Sequence, residues 1–218
     1  MTRLYLIRHG ETLWNREKRL QGHLDIGLNE TGLWQAEQVG RHLAQRPLQA
    51  IISSDLSRAA DTAQAIAQHH SISLQLDELL RERHYGNMQG LTYDEVAAHH
   101  PRNHLAWKNR EPDFCPEGGE SLRQFYERVT QSVLAWVKKH PAAEIVIVAH
   151  GGVLDCINRY ARGIGLSVAR DFEILNASLN TLTYQDAQLK IEEWGNTEFL
   201  KHQLNKSLDE LDGSPKWA

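Results

Sequence analysis

The chain predicts an α/β fold, a mostly parallel sheet with helices on both faces, and three observations carry that expectation. Short apolar runs alternate with amphipathic stretches along most of the 218 residues, as βα units do. One run, Ile145-Val146-Ile147-Val148-Ala149, is apolar without a break, which suits a strand buried on both faces. Two runs end alike, in Ile7-Arg8-His9-Gly10 and in Val148-Ala149-His150-Gly151. Each delivers a histidine and then a glycine at the carboxyl end of a strand.

Taken in order, Arg3 to Ile7 reads as the first strand. Asn29 is an N-cap candidate for a helix with Leu33, Ala36, Val39 and Leu43 on one face. Leu48 to Ser53 is the second strand, and the next helix carries Leu56, Ala59, Ala63, Ile66 and Ala67 as its stripe. Ile72 to Leu76 is the third strand. Residues 84–120 are richer in Pro, Gly, His and aromatic residues and hold one short helix at the Thr92-Tyr93-Asp94-Glu95 capping box. This stretch reads as an irregular excursion above the sheet, a lid. A long helix starts near Ser121, capped through Gln124, with Leu122, Phe125, Val129, Val133 and Trp136 as its stripe. Leu179 to Tyr184 and Leu189 to Trp194 pair as an antiparallel hairpin at a sheet edge. Residues 1–195 then form a single domain, and 196–218 a polar tail expected to be partly disordered.

Composition narrows the function. A net charge of −4 gives no nucleic-acid footprint and no polybasic membrane contact. An anion site must therefore be local, built from a few arginines. Two cysteines far apart, Cys115 and Cys156, argue against a disulfide scaffold and suit a reducing cytoplasm. No segment has the length and apolarity of a signal peptide or a membrane span. Twelve histidines raise a metal reading, but Pro101 should break any helix joining His100 to His104, and no His-Glu-x-x-His pattern occurs. No metal is expected. Gly163-Ile164-Gly165 should end a helix rather than follow a strand, so it is not a dinucleotide loop.

In an open parallel sheet, ligands sit outside the carboxyl ends of the strands. If the two His-Gly strands are neighbours, His9 and His150 face each other there, and Gly10 and Gly151 let backbone approach a ligand. Arg8 precedes His9, and Ser53-Ser54-Asp55-Leu56-Ser57-Arg58 puts Arg58 in a first helical turn at the same edge. Two arginines, two histidines and a helix N-terminus make a compact cationic pocket suited to phosphate.

The motifs RHGETLWN, SSDLSRAADT, LLRERHYGNMQG and VIVAHGG, in that order over residues 3–195, resemble the histidine phosphatase superfamily, which includes cofactor-dependent phosphoglycerate mutases and bacterial phosphomonoesterases. The resemblance implies a three-layer α/β/α sandwich, phosphoglycerate mutase-like, with an antiparallel edge strand. It implies that His9 is a nucleophile that becomes phosphorylated, that Arg8, Arg58 and Asn15 hold the phosphoryl oxygens with Gly151 nearby, that His150 is the second pocket histidine, and that Glu82 is the proton donor. Gln21, Tyr85, Trp107 and Arg110 are candidate specificity residues. The implied activity is metal-independent hydrolysis of a small phosphorylated metabolite, without a cofactor. The runner-up is a phosphoglycerate mutase, which would need 2,3-bisphosphoglycerate. The resemblance implies that the family's phosphoglycerate mutases carry a longer insertion between proton donor and second histidine, with more basic residues; the interval from Glu82 to His150 is shorter here, which favours the phosphatase. A phosphate-binding scaffold without catalysis is a third reading, disfavoured because Arg8, His9, Arg58, Glu82 and His150 are all intact. A homodimer through a sheet edge or the tail is compatible with the pattern.

Overall fold

The computed structural model describes residues 1–200 of the chain. Six strands, β1 (Thr2–Arg8), β2 (Leu48–Ser53), β3 (Leu74–Leu76), β4 (Glu144–Ala149), β5 (Leu179–Gln185) and β6 (Gln188–Asn196), form one sheet in the order β3-β2-β4-β1-β5-β6. The first four are mutually parallel where they pair, and β5 and β6 run antiparallel at one side. The register of β1 against β4 pairs Arg8 with Ala149, so His9 and His150 leave the sheet side by side. Ser53 of β2 pairs with Val148 of β4, which brings the following segment to the same edge.

Alternation along the strands divides the core into two layers. Leu4, Leu6, Ile145 and Ile147 face one side, where α6 (Leu122–Lys139) and α7 (Gly151–Arg162) pack through Phe125, Val129, Val133 and Ile157. Tyr5, Ile7, Val146 and Val148 face the other, against Val39 and Leu43 of α2 (Glu30–Leu43) and Ala59, Ala63 and Ile66 of α3 (Ser57–Ala67). The expected three-layer sandwich is what the chain forms. Asn29 caps α2 by accepting from the Gly32 amide, and Thr92–Glu95 and Ser121–Gln124 form the expected capping boxes. Gly163 ends α7 in the left-handed region at φ 67°, the conformation a C-terminal glycine supplies.

The structure departs from the sequence reading in several places. The excursion contains two helices, α4 (Tyr93–His99) and α5 (Pro101–Lys108), beside the four-residue α1 (Leu13–Arg16) near the N-terminus. Pro101 does separate His100 from the helix that holds His104, since α4 stops at His99 and His100 is a non-helical cap; it also starts α5, because at the first helical position its missing N–H is not needed. Leu33 is 55% exposed; Gln35 is buried instead, accepting from the Glu11 amide. Val137 is the buried end of the α6 stripe, whereas Trp136 is half-buried and donates its indole N–H to Asp77. The third strand is shorter than expected, since only Leu74–Leu76 finds partners on β2. Of the expected tail, Asn196 closes β6, Phe199 stacks on His42 and Leu200 is buried; 201–218 lie outside the described residues. Among the described residues no helix is long and apolar enough to cross a membrane, and both cysteines are free thiols.

Candidate active site

His9 follows β1 and is almost fully buried. Its Nδ1 lies 2.7 Å from the Gly10 carbonyl oxygen. A carbonyl only accepts, so Nδ1 carries the hydrogen and Nε2 keeps its lone pair. His150, the N-cap residue of α7, is wholly buried, with its ring centroid 5.2 Å from that of His9 and an interplanar angle of 61°. Burial, then the charges of Arg58 and Arg8, push the His9 pKa well below 6.5. Burial and Arg58 do the same to His150. Both rings are neutral at neutral pH. The surrounding charges oppose a protonated His150 until an anion offsets them.

Arg58 is fully buried, and its Nη1 and Nη2 donate to the carbonyls of Leu24 and Gly22 at 3.0 and 2.8 Å. Burial brings its pKa down to about 10, so the guanidinium stays charged. No carboxylate among the described residues is within ion-pair distance of it. Arg8 donates through Nη1 to the Ile174 carbonyl at 2.6 Å. Asn15 closes a capping box with Thr12, and its Oδ1 receives the Thr12 amide, the Thr12 hydroxyl and Asn176 Nδ2. With the oxygen so engaged, its NH2 is the group left for the pocket that the side chain lines.

Glu82 reaches the same pocket from the loop after β3. Its Oε1 accepts from the Arg83 amide at 2.8 Å and its Oε2 from the Gly152 amide at 3.0 Å. Burial raises its pKa; the two amides, then Arg58 and Arg8, work against the rise. The neighbouring side chains of Arg81 and Arg83 are directed elsewhere. Arg81 makes a two-pronged ion pair with Asp55, and Arg83 donates to the Glu120 and Phe114 carbonyls. Gly152 permits the close approach: a Cβ there would sit 2.2 Å from Glu82 Oε1 and 2.9 Å from the Phe125 ring.

Arg8, His9, Asn15, Arg58, Glu82 and Gly151 line one cavity of about 460 Å³, in the range of small-molecule sites. The candidate specificity residues Gln21, Tyr85, Trp107 and Arg110 line it too. His150 stands behind His9. The excursion forms the outer wall, with a small core of its own in which Leu20, Met88 and Val96 are covered by Tyr85, Tyr93 and Phe114. Trp107 stacks on Tyr85 at 5.1 Å. Arg110 is held by Asp155 at 2.7 Å and by the Leu166 carbonyl. Among the described residues, no three His, Cys, Asp or Glu side chains gather to hold a metal ion.

Several supporting residues escaped the sequence reading. Asn176 donates Nδ2 to the His9 carbonyl and to Asn15. Thr62 accepts from the Gly10 amide and donates to the Arg58 carbonyl. His23 Nε2 donates to the Glu82 carbonyl at 2.9 Å. None sits in a pattern local enough to be noticed; each acts across more than 45 positions of sequence in at least one of these contacts.

Fold and pocket are those of an α/β protein with a cationic cleft at the carboxyl edge of its sheet. The chain belongs to the histidine phosphatase superfamily (branch 1), whose family model matches residues 4–197. It is 39% identical over 202 residues to Phosphoglycerate mutase-like protein 4 of Arabidopsis thaliana, covering 91% of this chain and 86% of that one. It is 38% identical over 205 residues to the Metal-independent phosphoserine phosphatase of the same plant, covering 92% and 84%. The structure of Bacillus stearothermophilus YhfR superposes with a TM-score of 0.87 at 29% identity, covering 92% of this chain and all of that one.

Proposed function

We propose that the chain is a phosphoric monoester hydrolase that acts on a small phosphorylated metabolite through a phosphohistidine, without a metal. The observation that carries this is the fixed tautomer of His9, with Nδ1 on the Gly10 carbonyl and Nε2 left as nucleophile beside Arg8 and Arg58. Family membership and the phosphatase among its relatives support the same reading.

In the first half-reaction the Nε2 lone pair bonds to phosphorus and the ester P–O bond breaks, its electrons going to the alkoxide. Charge develops on the phosphoryl oxygens, where Arg8, Arg58 and the Asn15 amide donate; one well-placed donor of this kind is worth roughly 3–4 kcal/mol. Glu82, protonated, gives its proton to the leaving oxygen. As the His9 ring becomes cationic, its bond to the Gly10 carbonyl becomes charge-assisted and stronger. In the second half-reaction Glu82 as carboxylate takes a proton from water, whose oxygen attacks phosphorus. The P–N bond breaks and its electrons return to Nε2. Phosphate leaves, and Glu82 and His9 are restored.

The test is product analysis with 3-phosphoglycerate and an aryl phosphate in EDTA, with and without 2,3-bisphosphoglycerate. Phosphate release that disappears in His9→Ala is the expected result. Formation of 2-phosphoglycerate without phosphate release would establish the mutase reading instead.

A further inference from the structure

We propose that Arg128 is a positioning residue for the proton donor, acting with Glu120 to hold the strand of chain that presents Glu82. The inference rests on Glu82 as the acid of the reading above. Arg128 lies on α6, is not itself part of the cavity lining, and reaches the site only through Phe125 and the main chain around Glu82. Its guanidinium is nonetheless fully committed to this loop. Nη1 donates to the Leu79 carbonyl at 2.8 Å and the Arg81 carbonyl at 3.1 Å, and Nη2 reaches the Glu82 carbonyl at 3.4 Å. The same Nη2 is 2.5 Å from Glu120 Oε1, with Nε 3.2 Å from Glu120 Oε2. Glu120 Oε1 in turn accepts from the His84 amide at 2.9 Å. One ion pair therefore fixes main-chain groups on both sides of Glu82.

The rest of the surroundings makes that fixation matter. Both Glu82 oxygens are aimed by backbone amides, one from its own loop and one from α7. The carboxyl can deliver a proton only if loop and helix keep their distance. Residues 78–80 form a single 3-10 turn, a weak frame by itself. Arg128, anchored on the packed 18-residue α6, supplies the rigid reference. An arginine suits this task because its fork of five donors can serve several carbonyls and a carboxylate at once, which a lysine cannot.

The role predicts a dependence on leaving group. Alkyl esters need the proton from Glu82; 2,4-dinitrophenyl phosphate, with a weakly basic leaving group, does not. The experiment compares kcat/KM for phosphoserine and for 2,4-dinitrophenyl phosphate in the wild type, R128M, R128K, E120Q and E82Q. The ratio kcat/KM reports only the phosphorylation half-reaction, so the later use of Glu82 as base does not intrude. Expected are a loss of roughly tenfold or more in R128M for the alkyl ester, under about twofold for the aryl ester, a smaller loss of the same pattern in E120Q, and partial recovery in R128K. Equal losses on both esters in R128M and E120Q, or no loss on either, would overturn the role. E82Q reads the underlying assignment separately: if it loses both esters equally, Glu82 is not the acid and the inference falls with it. E82Q selective and E120Q unselective would overturn the positioning role alone.

Discussion

Replacing Gly152 by alanine places one methyl group at the junction of the Glu82 loop and α7. The new Cβ would lie 2.2 Å from Glu82 Oε1 and 2.9 Å from the Phe125 Cε1 atom. Phe125 is 1% exposed and fixed in the core, so the carboxyl is the group that must yield. Moving Oε1 out to the 3.0 Å that real contacts respect takes about 0.8 Å, and a misplacement near 1 Å costs on the order of 100-fold in rate. The Gly152 amide bond to Oε2 is strained by the same movement. Stability should fall by about 1 kcal/mol, the low end for one added methyl group, because the 2.9 Å approach to Phe125 must also be relieved. The assay is continuous phosphate release from an alkyl phosphate, with a thermal melt alongside. A kcat/KM roughly 100-fold below wild type at a melting temperature within about 4 °C of it is expected. A variant within about twofold of wild type would refute the claim that Gly152 sets the position of Glu82.

Stability should also follow pH in a particular direction. His9 and His150 both have pKa values depressed well below 6.5 by burial and by Arg58. Below about pH 6.5 the unfolded chain therefore binds more protons than the folded one, and each histidine removes ~1.4 kcal/mol per pH unit until its folded value is reached. The raised Glu82 acts oppositely, adding stability at low pH that is lost as pH rises through its folded value. Melting temperature should fall between about pH 7.5 and 5.5, with less fall when phosphate is present; a flat profile would show that the histidines are not held neutral. Asn176→Ala removes the donor shared by the His9 carbonyl and Asn15 and should cost about 1–3 kcal/mol in urea unfolding. A loss under about 0.5 kcal/mol would mean that the site does not depend on this bridge.

The parts of this molecule legible in its sequence are those governed by local pattern. The unbroken Ile145–Ala149 run gave away a central strand, and the matching His-Gly endings gave away the shared edge, because parallel register carries both histidines out at one level. Capping boxes at Thr92 and Ser121 were visible since their chemistry spans only three residues. Pro101 ends one helix as expected, but α5 behind it is not legible, because proline signals both a stop within a helix and a start at its first position. Trp136 was assigned to the core by its apolar ring, while its N–H needed Asp77 and kept it near the surface. Asn176, Thr62, His23 and Arg128 escaped notice for another reason. Each supports the site through hydrogen bonds between segments remote in sequence, and nothing local distinguishes such a residue from an ordinary surface polar one.

Arg58 is a buried cation whose hydrogen bonds go to peptide carbonyls rather than to a carboxylate. A charge so placed is stabilised by any small oxyanion, whether it arrives as an ester or remains as a product. Inorganic phosphate, the product of the proposed turnover, is then expected to compete with the next ester and to raise the melting temperature by mass action. The same buried charge that would draw an ester in would thus make the rate answer to free phosphate, a feedback that needs no second site.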